Sequence, residues 1–224
     1  RTSWLSREVI VLPGFIAATL AWAITEHLGI FTVTLPIVVV ILSTVLWLCT
    51  AMIYACIRFI AEWAHPITVI NYYLLGITSG LTLLVAVLAI TDTETIALVT
   101  ISSAAIVTTL IAMATKIIAL MRNKALKPVS TLQSATGIRN PTLRQTSMGM
   151  SAGAFNTREF FHGKSSIVLS NVRTFMIITT FVLPTCLLLL SQHASRPSLA
   201  AFAVSAFVVQ YVGLLSERWL FFAQ

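Results

Sequence analysis

Runs of about 20 apolar residues, parted by short polar breaks, recur along this chain, and that length is what a helix needs to cross the hydrocarbon of a bilayer. Inside lipid an unpaired peptide group costs several kcal/mol, so such runs must be helical. The composition closes off the alternative. Of 224 residues, 58% are hydrophobic and 9% charged, whereas a soluble domain carries about a quarter charged residues. The expected fold class is all-α, a polytopic transmembrane bundle.

The pattern predicts about six helices, at 8–25, 34–60, 67–90, 96–121, 173–192 and 198–222. Each break combines charge with Gly, Pro or capping residues: Glu26 to Gly29, Trp63 to Pro66, Thr91 to Glu94, and Ser191 to Pro197. Residues 122–171 are too polar to span and are expected to form a basic, partner-facing loop with short ordered pieces. The whole of 1–224 reads as a single membrane domain. It starts at Arg1 with no signal-peptide pattern, so it is expected to begin inside a longer chain.

Basic residues set the expected orientation. With six alternating helices, one side receives Arg1, Arg7, Arg58, Lys116, Arg122, Lys124, Lys127, Arg139, Arg144, Arg158, Lys164, Arg173 and Arg218. The other receives only Arg196, with Glu26, Asp92 and Glu94. Basic residues near span ends favour the cytoplasm, so the first side is expected to be cytoplasmic. Trp4, Trp63 and Trp219 fall at the same ends, where amphipathic rings favour the headgroup region.

Polar groups gather at that end too. Glu8 follows Ser6 in the first turn of a helix, where the dipole favours a carboxylate. Arg58 and Glu62 are four apart and could pair on one helix face. His65 precedes Pro66, and Glu217 and Arg218 precede the last aromatic turn. Each has an ordinary reading as a helix-start acid, a structural pair or a solvated end. Together they could serve a quinone, which takes two electrons and two protons. Its site needs an apolar slot for the ring, donors for the carbonyls and an acid or His in touch with water.

Haem is not expected. The four histidines, His27, His65, His162 and His193, fall at span ends or in loops rather than facing each other inside the bundle. Cys49, Cys56 and Cys186 lie in apolar runs without a C-x-x-C pair and read as packing residues. Gly76 and Gly80 form a G-x-x-x-G that permits close helix contact. The hydroxyl-rich fourth span, with Thr100, Ser102, Ser103, Thr108, Thr109 and Thr115, reads as hydrogen bonding within the bundle. Phe155 to Gly163 interleaves aromatics with charge inside the basic loop. Arg158, Glu159, Phe160, Phe161, His162 and Lys164 there suit docking to another protein or binding of anionic lipid.

Trp4-Leu5-Ser6-Arg7-Glu8-Val9, Met52-Ile53-Tyr54 through Arg58, Asn71-Tyr72-Tyr73-Leu74-Leu75-Gly76 and Ser216-Glu217-Arg218 resemble the DMSO reductase membrane anchor family. The runs Ser3–Val9, Glu62–Pro66 and Phe155–Gly163 look most like anchors that serve a cytoplasmic sulfite-oxidising molybdoenzyme. The resemblance covers essentially the whole chain. It implies eight helices in the complete protein, two of them before Arg1, and a bacterial cytoplasmic (inner) membrane location. Glu8 matches the family's quinone-site acid; Arg58 and Glu217 match family positions less closely. It further implies menaquinone or ubiquinone as the electron partner, two partner subunits, and no haem. One carries iron–sulfur clusters and the other molybdopterin.

The expectation is therefore a non-catalytic anchor that exchanges electrons with quinone near Glu8, Arg58, Glu62, His65, Glu217 and Arg218. Sulfite oxidised to sulfate by the partner would be the electron source. A quinol-oxidising anchor of a DMSO reductase-type enzyme is the alternative within the class. A transporter is the alternative outside it, disfavoured because its ionisable groups would lie near the bilayer midplane. No nucleic-acid partner is expected.

Overall fold

The computed structural model describes residues 3–91, 95–127, 131–143 and 166–223. Among the described residues the chain is all helical, and six helices are long and apolar enough to cross a membrane. Helix α1 spans Trp4–His27, α2 Thr34–Ala55, α3 Pro66–Ile90 and α4 Thr95–Ala125. A short α5 (Leu132–Thr136) follows. Then come α6 (Ser166–Ile177), a π-helical turn at Ile178–Val182, α7 (Leu183–Gln192) and α8 (Arg196–Ala223).

Local chemistry explains the ends. Ser3 caps α1 by accepting the Ser6 N–H, so the helix starts at Trp4 rather than at residue 8. Gly29, at φ 73°, turns the chain out of α1 as only glycine does without strain. Helix α3 opens with His65 as N-cap and Pro66 in its first turn, where the missing N–H costs nothing. Helix α4 runs past the expected residue 121 to Ala125, with Arg122 and Lys124 in its last turn, where the dipole favours cations.

Two expectations need correction here. Helix α2 ends at Ala55, so Arg58 and Glu62 lie in the irregular connection at 56–65, and they form no helical ion pair. The predicted helix at 173–192 is two helices joined by the π turn, and it begins at Ser166. Pro184 supplies the reason: it has no N–H to return to the carbonyl of Thr180, four residues back. The side chain of Gln210 on α8 fills that role, its Nε2 donating to the Thr180 carbonyl at 3.4 Å. Gly213 lets α8 come this close, since a Cβ there would sit 2.5 Å from the Thr180 backbone nitrogen.

Neighbouring helices alternate in direction. Glu8, early in α1, meets Thr50, late in α2. Tyr73, early in α3, donates to the Thr44 carbonyl of α2 at 2.5 Å. Gln192, ending α7, donates to Ser102 and Ser103, early in α4, at 3.1 and 3.3 Å. The starts of α1, α3 and α6 and the ends of α2, α4 and α8 thus share one side.

The core belongs to α3, α4, α8 and the α6–π–α7 span. At one level Val85, Ala86, Ala105, Ile106, Leu188, Ala203 and Ala206 pack together, and at another Leu75, Ala112, Met176, Phe181 and Leu220. Lipid tails are as apolar as these side chains, so close contact between small residues holds the bundle where burial alone would not. The α1–α2 hairpin lies outside this core against α3, and α1 has no buried residue. The hydroxyls of α4 mostly bond their own helix: Thr100 to Ile96, Thr108 to Ala104 and Thr109 to Ala105. The G-x-x-x-G is only half a contact. Gly80 faces open space, whereas a Cβ on Gly76 would meet the Trp47 ring at 3.1 Å.

Candidate functional site

Five helices bring polar side chains to one end of the bundle. Tyr72 on α3 stands at the centre, within electrostatic reach of Glu8, Tyr54, Arg218 and Glu217. The Arg218 guanidinium lies 4.9 Å above the Tyr72 ring and 5.0 Å above that of Phe221, distances at which a ring face attracts a cation.

Glu217 and Lys116 form the most buried element. The Glu217 side chain is 0% exposed and that of Lys116 6%. Lys116 Nζ lies 2.5 Å from Glu217 Oε1, and Arg218 Nε lies 2.6 Å from Oε2. One carboxylate therefore holds two cations from two helices. Desolvating three charges is expensive, and these distances provide the attraction that offsets it.

On the opposite flank Glu8, half-buried at the start of α1, receives a hydrogen bond from Thr50 of α2, with Oγ1 and Oε1 2.5 Å apart. Thr50 Oγ1 also lies 3.0 Å from the Leu46 carbonyl, so its single proton has two acceptors in reach. Arg7 does not hold Glu8. Its guanidinium stacks over Trp4 at 4.3 Å instead.

Between these flanks opens a cleft of about 200 Å³, lined by Trp47, Tyr72, Leu75, Gly76, Ser79, Leu214 and Arg218. Its walls are apolar and aromatic, and its donors are few, as small-molecule sites require. Gly76 gives the cleft its depth by leaving room for the Trp47 indole. An aromatic cluster closes the bundle beside it. Trp63 stacks on Phe221 with centroids 5.0 Å apart, its indole N–H donates to the Phe221 carbonyl at 3.0 Å, and Tyr54 packs edge-on to both. Arg122 pins the connection that carries Trp63 by donating to the Ala61 carbonyl at 3.0 Å.

Of the residues singled out in the sequence, Glu8, Glu217 and Arg218 converge on Tyr72. Glu62 lines a small polar chamber behind Tyr72, with Asn71, Lys116 and Glu217. His65 faces elsewhere. It lines a second, apolar cleft of about 390 Å³ with Met52, Pro66 and Ile70, and its Nδ1 accepts the Ile67 N–H. Arg58 is exposed in the 56–65 connection. Arg158, Glu159, Phe160, Phe161, His162 and Lys164 lie outside the described residues. Lys116, Tyr72, Trp47 and Asn71 were missed. A lysine within the apolar run Leu110 to Met121 was the available signal, because a charge inside a span calls for a partner.

Comparison with known proteins gives this arrangement a context. The family model described as DMSO reductase anchor subunit (DmsC) matches residues 1–223. A sulfite dehydrogenase subunit of Allochromatium vinosum is 39% identical over 238 aligned positions, covering 100% of this chain and 72% of that protein. No solved structure matches the chain. A bundle of membrane-spanning helices that matches the family model along nearly its full length is an integral membrane protein, and it belongs to the DMSO reductase anchor subunit family.

Proposed function

We propose that this protein passes electrons from an iron–sulfur partner subunit to quinone bound in the cleft against Tyr72. The carrying observation is an apolar slot lined by an arginine and a phenol, with two carboxylates from separate helices, Glu8 and Glu217, within electrostatic reach of that phenol. The residues present fit such a ring. Trp47, Leu75 and Leu214 offer flat or apolar surface, and Arg218 and Tyr72 carry donors for carbonyl oxygens, while the Ser79 hydroxyl donates to the Gly76 carbonyl. Bound quinone accepts two electrons and two protons. Tyr72 and Arg218 orient its oxygens, and Glu8 stands on one side as the acid–base group.

The electron source we assign is sulfite, on the similarity to the sulfite dehydrogenase of Allochromatium vinosum. Sulfite and water give sulfate, two protons and two electrons at a molybdopterin subunit, and the iron–sulfur subunit passes the electrons to this anchor. Filling the cleft without touching a charge tests the reading. Ser79→Phe should raise the KM for quinone about tenfold, equivalent to about 1.4 kcal/mol of lost binding, and leave sulfite-dependent reduction of a soluble dye intact. An unchanged KM would place the quinone elsewhere.

The basic side is assigned to the cytoplasm, with the segment around Arg158 to Lys164 as the docking surface for the partners. Eight Lys/Arg against one acid from Arg122 to Arg173 would attract an acidic partner, Lys116 being buried against Glu217. A reporter fused after Asn123 should work only as a cytoplasmic reporter, and one after Thr93 only as a periplasmic one. Reversed activities would put the basic segment across the membrane from a cytoplasmic partner and end that assignment.

A further inference from the structure

Behind the cleft lies a separate polar chamber, bounded by Glu62, Asn71, Tyr72, Lys116, Asn123 and Glu217, with a volume of about 20 Å³. That is room for one water molecule. Asn71 is 6% exposed, and its Oδ1 is buried without a hydrogen-bond partner. A buried amide oxygen left unpaired is costly, and an ordered water is the usual remedy. Glu62 stands half-exposed among the lining residues, whereas Glu217 and Lys116 are buried. Tyr72 lines both this chamber and the cleft.

We propose that Asn71, Lys116 and Glu217 hold a water molecule there and that this water delivers one of the two protons quinone takes up. The inference rests on the quinone reading of the cleft. The reduced quinone oxygen takes the Tyr72 hydroxyl proton, and Tyr72 regains one from the water. The water is replenished from the Glu62 carboxyl, which recharges from bulk solvent. The iron–sulfur partner supplies the electrons, and Glu8, on the other flank of Tyr72, supplies the second proton. Glu217 borders the chamber and is itself held in place by Lys116 and Arg218, which lines the chamber too. Asn71 is thus a positioning residue that acts through the water.

The test uses the assembled complex in native membranes with sulfite and quinone. Asn71→Leu, which fills the chamber and removes the amide, should lower kcat about 100-fold, the scale for losing a positioned proton donor. The KM for quinone and dye reduction should stay at parental values, and the solvent deuterium isotope effect should rise as proton delivery becomes limiting. Asn71→Ser, which keeps a hydrogen-bonding group, should restore most of the rate. Glu62→Gln, at the half-exposed position, should reproduce the loss without disturbing the core. A raised KM with unchanged kcat, a parental isotope effect, or a parental rate in Glu62→Gln would overturn the relay. If Ser79→Phe and Glu8→Gln also left quinone reduction untouched, the quinone reading would fall with it. If those two acted as expected, only the chamber would be refuted.

Discussion

Glu8→Gln should leave the complex assembled and able to reduce a soluble dye, while sulfite-dependent quinone reduction falls about 100-fold. Glutamine keeps the length of the side chain and can still accept the Thr50 hydroxyl, so the α1–α2 contact survives. What disappears is the exchangeable proton, on the flank of Tyr72 opposite the Lys116–Glu217 pair. Dye reduction draws electrons before they reach the anchor, which is why the two rates should separate. If quinone reduction stayed within about twofold of the parent, below what loss of an acid–base group produces, Glu8 would serve only to tie α1 to α2 through Thr50. It lies beyond the first turn of α1 and not in it as expected.

Glu217→Leu should be the most damaging single change to stability. It strands the ammonium of the buried Lys116 side chain, with Arg218 near it and no counter-charge. Breaking a buried pair by removing one partner costs about 3–5 kcal/mol, a large part of the stability of a typical domain. The expected result is a fall in the melting temperature of the detergent-solubilised complex and less anchor in membranes. Lys116→Met combined with Glu217→Leu should recover most of that stability, since an apolar pair of similar volume packs without desolvating a charge. The double variant should still fail in quinone turnover. An unshifted melting temperature in the single variant would mean that water reaches the pair.

The spans were legible because lipid imposes one rule on every residue in them. Runs such as Ile67 to Ile90 show length and apolarity in the bare string. The π turn was not legible. Its cause lies in Pro184 together with Gln210 and Gly213 on another helix, and no local pattern joins them. The connection at 56–65 was misjudged because Arg58 and Glu62 have helical spacing, although the helix had already ended at Ala55. Of the site, the acids could be found as charges at span ends. Lys116 was counted as an interfacial base because its partner lies 101 positions away, at Glu217. Tyr72 stands in a segment that resembles the family but carries no sign of a role there, and Trp47 carries no marker at all. Their place depends on how α2, α3 and α8 lean together, which the string does not encode locally.

The hydroxyl of Thr50 has a consequence for how fast Glu8 can change its charge. With Glu8 ionised, Thr50 points its proton at the carboxylate. With Glu8 neutral, the carboxyl can donate to the same oxygen while Thr50 turns its proton to the Leu46 carbonyl, 3.0 Å away. Either state keeps the Thr50–Glu8 hydrogen bond, and a rotation about one bond converts them. Hydroxyl rotors are free to suit their partners in this way. The helices therefore need not shift for the acid to load and unload. On the quinone reading of the cleft, the reorganisation that would accompany each proton is confined to a single side chain.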